Sequence, residues 1–183
     1  HFVITYDGLT TSDGAKLYQD GELIQTIASV GDLTTTYTQS DYTIGNHNVY
    51  QASDLYMHDW RQYNRAISPD EVNDIYTRGV AFGDEVIQWR MDSMPVTIDN
   101  FRSANFYGTN NYIFPYSSNV NTSNFTIGLW VNLLNDTNGT QCILDTHLNS
   151  GGTLYGYDVY HLNGNINMRV FMGDSTGDSD FVK

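Results

Sequence analysis

Hydrophobic and polar residues alternate along Phe125-Thr-Ile-Gly-Leu-Trp-Val-Asn132, so that Phe125, Ile127, Leu129 and Val131 share one face and Thr126, Gly128, Trp130 and Asn132 the other. A period of two predicts a strand with one face against a core. Similar short runs recur along the chain, punctuated by Asn, Thr and Gly, as expected for strands and turns. Asp20-Gly21 lies between Lys16-Leu-Tyr-Gln19 and Glu22-Leu-Ile-Gln25, and Asn163-Gly164 between Tyr157-Asp-Val-Tyr-His161 and Asn165-Ile-Asn-Met-Arg-Val-Phe171. Both predict two-residue hairpins, because a type I′ turn wants positive φ at both central residues. One segment departs from the pattern. From Leu55 to Tyr76 a strand runs into a short helix, with Ser68 as cap, Pro69 where no donor is needed and Glu71 reaching back at the third helical position. Val72, Ile75 and Tyr76 form its apolar stripe, and Gly79 ends it. Trp60 and Tyr63 are expected to pack, and Gly79 to Gly83 reads as a domain junction. The expected fold is all-β, an antiparallel jelly-roll β-sandwich with one short helix.

Several segments carry a family resemblance. His1-Phe-Val-Ile-Thr-Tyr-Asp-Gly8, Ala15-Lys-Leu-Tyr-Gln-Asp-Gly-Glu-Leu-Ile24, Tyr42-Thr-Ile-Gly45 and Asp59-Trp-Arg-Gln-Tyr-Asn-Arg-Ala-Ile-Ser-Pro-Asp-Glu-Val72 resemble the second half of a laminin G-like or pentraxin-like domain of the concanavalin A-like lectin/glucanase superfamily. Val86-Ile-Gln-Trp-Arg-Met-Asp92, Ala104-Asn-Phe-Tyr-Gly-Thr-Asn-Asn-Tyr-Ile-Phe-Pro115, Asn124-Phe-Thr-Ile-Gly-Leu-Trp-Val131 and Gln141-Cys-Ile-Leu-Asp145 resemble the first half of such a domain. The halves stand in reversed order. Either residues 1–82 close one sandwich and residues 83–183 open the next in a tandem array, or the two stretches are halves of one circularly permuted sandwich. His1 already lies within a strand pattern and Asp180-Phe-Val-Lys183 stops within another, which favours the array. In an array each half needs partner strands from outside, because unpaired edges and a half-covered core are not stable alone.

Charge narrows the partners. The 183 residues carry 21 acidic and 8 basic side chains, a net charge of −13. That balance argues against nucleic-acid phosphate and anionic membranes, which it repels. No run approaches the ~18 apolar residues of a membrane span. Cys142 stands alone in a strand pattern and reads as a small buried hydrophobe. Sequons begin at Asn121, Asn124, Asn135 and Asn138; the last two, in Asn-Asp-Thr-Asn-Gly-Thr, are the best glycosylation acceptors. The resulting expectation is a protein of an extracellular space, a cell surface or a virion or particle surface.

Catalytic patterns fail on context. Gly173-Asp-Ser-Thr-Gly177 matches a nucleophile elbow, but no helix pattern follows it. A glucanase needs carboxylates alternating along one strand; Asp20/Glu22 straddle a turn and Asp178/Asp180 lie in a loop pattern. His58 and Asp59, adjacent in a strand pattern, are expected on opposite faces. No enzyme is expected. The resemblance implies calcium in loops on one face, here Asp145-Thr-His-Leu-Asn149 and Asn46-His-Asn-Val-Tyr-Gln51, the latter offering Asn46 and Asn48 where such relatives carry acidic residues. Asp174, Asp178 and Asp180 form a further candidate cation loop. A sugar needs aromatic platforms beside planar amides, for which Asn110, Asn111, Tyr112, Tyr116, Tyr155, Tyr157 and His161 are the candidates. The expected function is glycan binding or adhesion as a non-catalytic module of a larger tandem-repeat protein. The alternatives are a purely structural repeat that builds a filament, fibre or coat, and a glycosidase-associated domain. Expected partners are glycans or neighbouring copies of the same protein.

Overall fold

The computed structural model describes residues 1–8, 14–27, 42–44, 51–52, 55–89, 97–98, 101–102, 104–106, 112–114, 124–133, 140–146, 148–150, 153–172 and 180–182; side chains are described at 1–8, 14–26, 55–88, 124–133, 140–146 and 157–168. The first part of the chain gives strands β1 (Phe2–Tyr6), β2 (Ala15–Gln19), β3 (Glu22–Ile27), β4 (Tyr42–Ile44), β5 (Gln51–Ala52) and β6 (Leu55–Tyr63), then helix α1 (Pro69–Arg78). Next come β7 (Ile87–Trp89), β8 (Thr97–Ile98), β9 (Phe101–Arg102), β10 (Ala104–Phe106), β11 (Tyr112–Phe114) and β12 (Phe125–Leu133). The chain continues with β13 (Gln141–Asp145), β14 (Leu148–Ser150), β15 (Thr153–Leu162), β16 (Asn165–Met172) and β17 (Asp180–Val182).

Two sheets hold the core. The first runs β10-β6-β12-β1-β2-β3, with β7 also on β6; the second runs β11-β4-β13-β15-β16-β17, with β14 on β15 and β5 on β13. The pairings are antiparallel except β5 with β13. The fold is therefore an antiparallel jelly-roll β-sandwich with one short helix. Strands from the early and late parts of the chain interleave in both sheets: β12 pairs with β1 on one side and β6 on the other, and β13 pairs with β4. Alternation puts Phe125, Ile127 and Leu129 of β12 inward, where they meet Ile143, Leu144, Val159 and Met168 of the facing sheet.

A bulge interrupts that alternation in β6. Against β12 the register shifts between Gly128 and Trp130, and Asp59 takes a φ of 50°. Asp is among the residues that tolerate this left-handed conformation, which the bulge here adopts. The extra residue moves Trp60 into the same core as Leu55 and Met57, where strict alternation would have placed Asp59. The bulge also sets the Asp59 carboxylate on Arg61, at 2.5 Å from Nη2 and 3.0 Å from Nε, with Gln88 donating to its other oxygen at 3.3 Å.

Helix α1 covers the outer face of the first sheet. Val72 and Ile75 pack with Ile67, Val3, Tyr18 and Tyr63, so this sheet is buried on both sides. The Glu71 N–H donates to Ser68 Oγ at 3.2 Å and the Ser68 N–H to Glu71 Oε2 at 2.7 Å, the reciprocal capping box. At the other end Gly79, at φ 63°, returns its N–H to the Ile75 carbonyl at 2.9 Å. Buried Arg61 donates to the Gly79 carbonyl at 3.3 Å and also to that of Val80, meeting the acceptors a helix end leaves open. Glu85 accepts from the Phe82 and Gly83 N–H groups and from the Tyr63 hydroxyl, so the chain leaving the helix is tied back to β6 before it enters β7. Arg65 bridges Glu71 and Asp84 at 2.7 and 2.6 Å. Among the described residues, no helix is long and apolar enough to cross a membrane.

Two predictions follow from this layer. Arg61 and Asp59 are sequestered, whereas the helix pair Asp74–Arg78 is largely exposed. Asp59→Ala strands a buried guanidinium and is expected to cost about 3 kcal/mol or more, while Asp74→Ala costs less than about 0.5 kcal/mol. Urea midpoints at constant slope measure the difference, and equal shifts would contradict it. The Arg65 guanidinium first, then the Ser68 N–H and hydroxyl, pull the Glu71 carboxyl down to about 2 from 4.5, against the opposing effect of burial. A depressed folded value means the stabilisation is complete above about pH 4.5 and is lost as pH falls towards 2. Glu71→Gln should therefore lower stability at neutral pH and flatten its acid dependence across that window, as read by thermal melts from pH 7 to 2.

Candidate functional site

Residues of both sheets line a cleft of about 450 Å³. Its walls come from both parts of the chain: Phe2, Gln19 and Ile24 of β1–β3, Val131, Asn132 and Leu133 of β12, and His161, Gly164, Asn165 and Ile166 around the β15–β16 hairpin. Register explains the gathering. Phe2 pairs with Gln19 on one side and Leu129 on the other, so the strand end at Phe2 sits level with the point where β12 runs on to Val131 and Leu133. Across from them His161 pairs with Ile166 in the facing sheet.

Two tight turns hold the rim. Asn163 and Gly164 take φ values of 52° and 82°, and Asn165 Nδ2 donates to the Asn163 carbonyl at 3.2 Å. Asp20 and Gly21, at 50° and 84°, turn β2 into β3. A Cβ at Gly21 would stand 3.0 Å from Tyr76 Cδ1 and 3.2 Å from Asn73 Oδ1, so glycine there also lets the hairpin lie against α1. On β3, Leu23 and Ile24 are 51% and 48% exposed, and Ile24 is part of the cleft's wall.

The lining mixes apolar surface with hydrogen-bonding groups. Phe2, Ile24, Val131, Leu133 and Ile166 supply the first, and Gln19, Asn132, His161 and Asn165 the second. Such a mix suits a ligand with C–H faces and hydroxyl edges. Among the described residues that line it there is neither lysine, arginine, aspartate nor glutamate.

Of the sugar-contact candidates, His161 lies in this cleft, 3% exposed. Tyr157 is a core residue instead: it is 4% exposed and stacked on Phe125 with ring centroids 4.8 Å apart, so it has no free face for a sugar. Alternation along β15 turns it inward with Val159. Tyr112 pairs with Ile44, and Tyr155 lies between Leu148 and Met172; Asn110, Asn111 and Tyr116 lie outside the described residues. Among the cation candidates, Asp145 sits in β13 directly opposite Asp158, the two being 8% and 0% exposed. Asn149 pairs with Leu154 and Asp180 with Val170, while Asn46, Asn48, Asp174 and Asp178 lie outside the described residues. Among the described residues no three His, Cys, Asp or Glu side chains gather. Of the sequon residues, Asn124 immediately precedes β12 and is half-buried, and Asn121, Asn135 and Asn138 lie outside the described residues. Ser68 and Glu71 form the helix cap, and Cys142 is a buried cysteine outside any disulfide.

Phe2, Gln19, Ile24, Asn132 and Asn165 escaped the sequence reading. The available signal was the pair of hairpin turns, since Gln19, Ile24 and Asn165 flank them; that the turns reach one cleft depends on tertiary register.

No curated protein and no solved structure matches the chain. The family model Laminin_G_3, described as Concanavalin A-like lectin/glucanases superfamily, matches residues 1–73. Through Phe2, Gln19 and Ile24 the matched stretch supplies one wall of the cleft. Over residues 1–73 the chain is thus similar to the concanavalin A-like lectin/glucanase superfamily.

Proposed function

We propose that this protein is a non-catalytic glycan-binding module of an extracellular or surface-exposed protein. The cleft carries the reading: it pairs apolar walls with the amides of Gln19, Asn132 and Asn165, and similarity to a superfamily of lectins and glucanases supplies the context. We further propose that residues 1–183 act as one sandwich of permuted order, supported by β12 lying between β1 and β6. Absence of catalysis is part of the proposal. The two carboxylates that the ladder sets opposite one another, Asp145 and Asp158, stand 8% and 0% exposed, withdrawn from any glycosidic bond in solvent.

A glycan array followed by calorimetry on the full chain tests the reading. Gln19→Ala and Ile24→Ala alter exposed residues, so each is expected to weaken binding about tenfold with the unfolding midpoint unchanged. Binding that both variants leave intact would move the site elsewhere, and hydrolysis of a β-glucan by the purified protein would sink the non-catalytic part.

A second reading rests on β3, the last strand of its sheet among the described residues, with Leu23 and Ile24 exposed on it. A strand at a sheet edge is a template for another chain, and assembly of copies through it is the structural alternative. Concentration-dependent sedimentation abolished by Leu23→Lys, with no glycan bound, would favour that role.

A further inference from the structure

We infer that the cleft selects uncharged, hydroxyl-rich glycans, discriminates against sulfated, sialylated and uronic ones, and binds without a bridging cation. The inference rests on the glycan reading above and specifies its ligand. Anionic glycans are ordinarily held by guanidinium or ammonium groups, or through a divalent cation shared with carboxylates. The described lining offers neither: its polar groups are Gln19, Asn132, His161 and Asn165. Amides present a donor and an acceptor in one plane, which matches the paired hydroxyls of a neutral pyranose. Phe2 and Ile24 offer the apolar surface on which its C–H face can rest.

The surroundings act in the same direction. Glu22 pairs with Gln19 across the β2–β3 ladder, so an exposed carboxylate stands beside the mouth, next to Asp20, whose own carboxylate is ion-paired with the His1 ammonium at 2.8 Å. The chain as a whole carries a net charge of −13. An approaching sulfate or carboxylate meets repulsion at the rim and no counter-charge among the described residues inside, whereas a neutral sugar pays neither cost.

The test is calorimetry of the full chain against matched neutral, sulfated and sialylated oligosaccharides, with and without a chelator, at low and high salt. The expected result is binding of neutral sugars at least about tenfold tighter than their acidic counterparts, insensitive to chelator and nearly insensitive to salt. Glu22→Lys is expected to shift the acidic-to-neutral affinity ratio upward by about tenfold at low salt, and by less as salt rises. Acidic glycans binding as tightly as neutral ones, with binding lost in Gln19→Ala, would overturn the selectivity while leaving the glycan-binding module standing. Loss of binding on chelation would overturn the cation-free part. No binding of any oligosaccharide at millimolar concentration would remove the module reading itself and the selectivity with it.

Discussion

The structure depends on the insertion of β12 between β1 and β6. Every other strand of the first sheet reaches its place through one of these three, and the inward residues Phe125, Ile127 and Leu129 are among the best-buried of the core. The same strand works on its outer face. Thr126 Oγ1 donates to the Arg65 carbonyl at 2.7 Å and accepts from the Ile67 N–H at 3.0 Å, fixing the segment that leads into α1. Trp130 meets Tyr76 of the helix with ring centroids 5.6 Å apart. A non-local pairing between residues about 120 positions apart thus organises both the sandwich and the helical layer. Contacts of such separation make folding slow relative to local hairpins, because loop closure precedes any gain.

The helix layer shows how polar groups are accommodated where a sheet is covered on both sides. Burying Arg61 is costly unless its donors are met, and here the bulged Asp59 and the carbonyls past the helix end meet them. The bulge is therefore not a local defect. One inserted residue sends Trp60 to the core, turns Asp59 to Arg61 and lets Arg61 close the helix terminus. Tyr63 joins the same arrangement: burial above all pushes its phenol upward, and its hydroxyl donates to Glu85. Although burial raises the Glu85 carboxyl, backbone N–H groups and that hydroxyl hold it below its ordinary value, ionised and able to anchor the turn at Phe82 and Gly83.

What was legible in the sequence was local. The capping box spans Ser68 to Glu71, four consecutive residues whose partners are each other, and the turns at Asp20-Gly21 and Asn163-Gly164 need nothing beyond their own φ preferences. The alternation in β12 shows its inward face because a regular strand has one period. The bulge was hidden, since Asp59 carries no mark of its conformation until Gly128 and Trp130 are set against it. For the same reason His58 and Asp59 could not be assigned to faces by counting, and Tyr157 could not be told from a surface tyrosine. The cleft was hidden most completely: its walls are residues of ordinary type, drawn from β1, β2, β3, β12 and the β15–β16 hairpin, and only the register makes them neighbours.

That composite origin has an energetic consequence for the site. Phe2, Gln19 and Ile24 lie within the stretch matched to the superfamily, whereas Val131, Asn132, His161 and Asn165 come from residues far beyond it. A ligand lodged among them contacts both parts of the chain at once, and it does so only when β12 is seated between β1 and β6. Binding to the folded form alone adds stability that grows as the logarithm of one plus the ratio of ligand concentration to Kd. The added stability therefore opposes the separation of β12 from its neighbours, the step on which the core also depends. A ligand bound in the cleft would thus be coupled to closure of the sandwich, because residues from both parts of the chain line it.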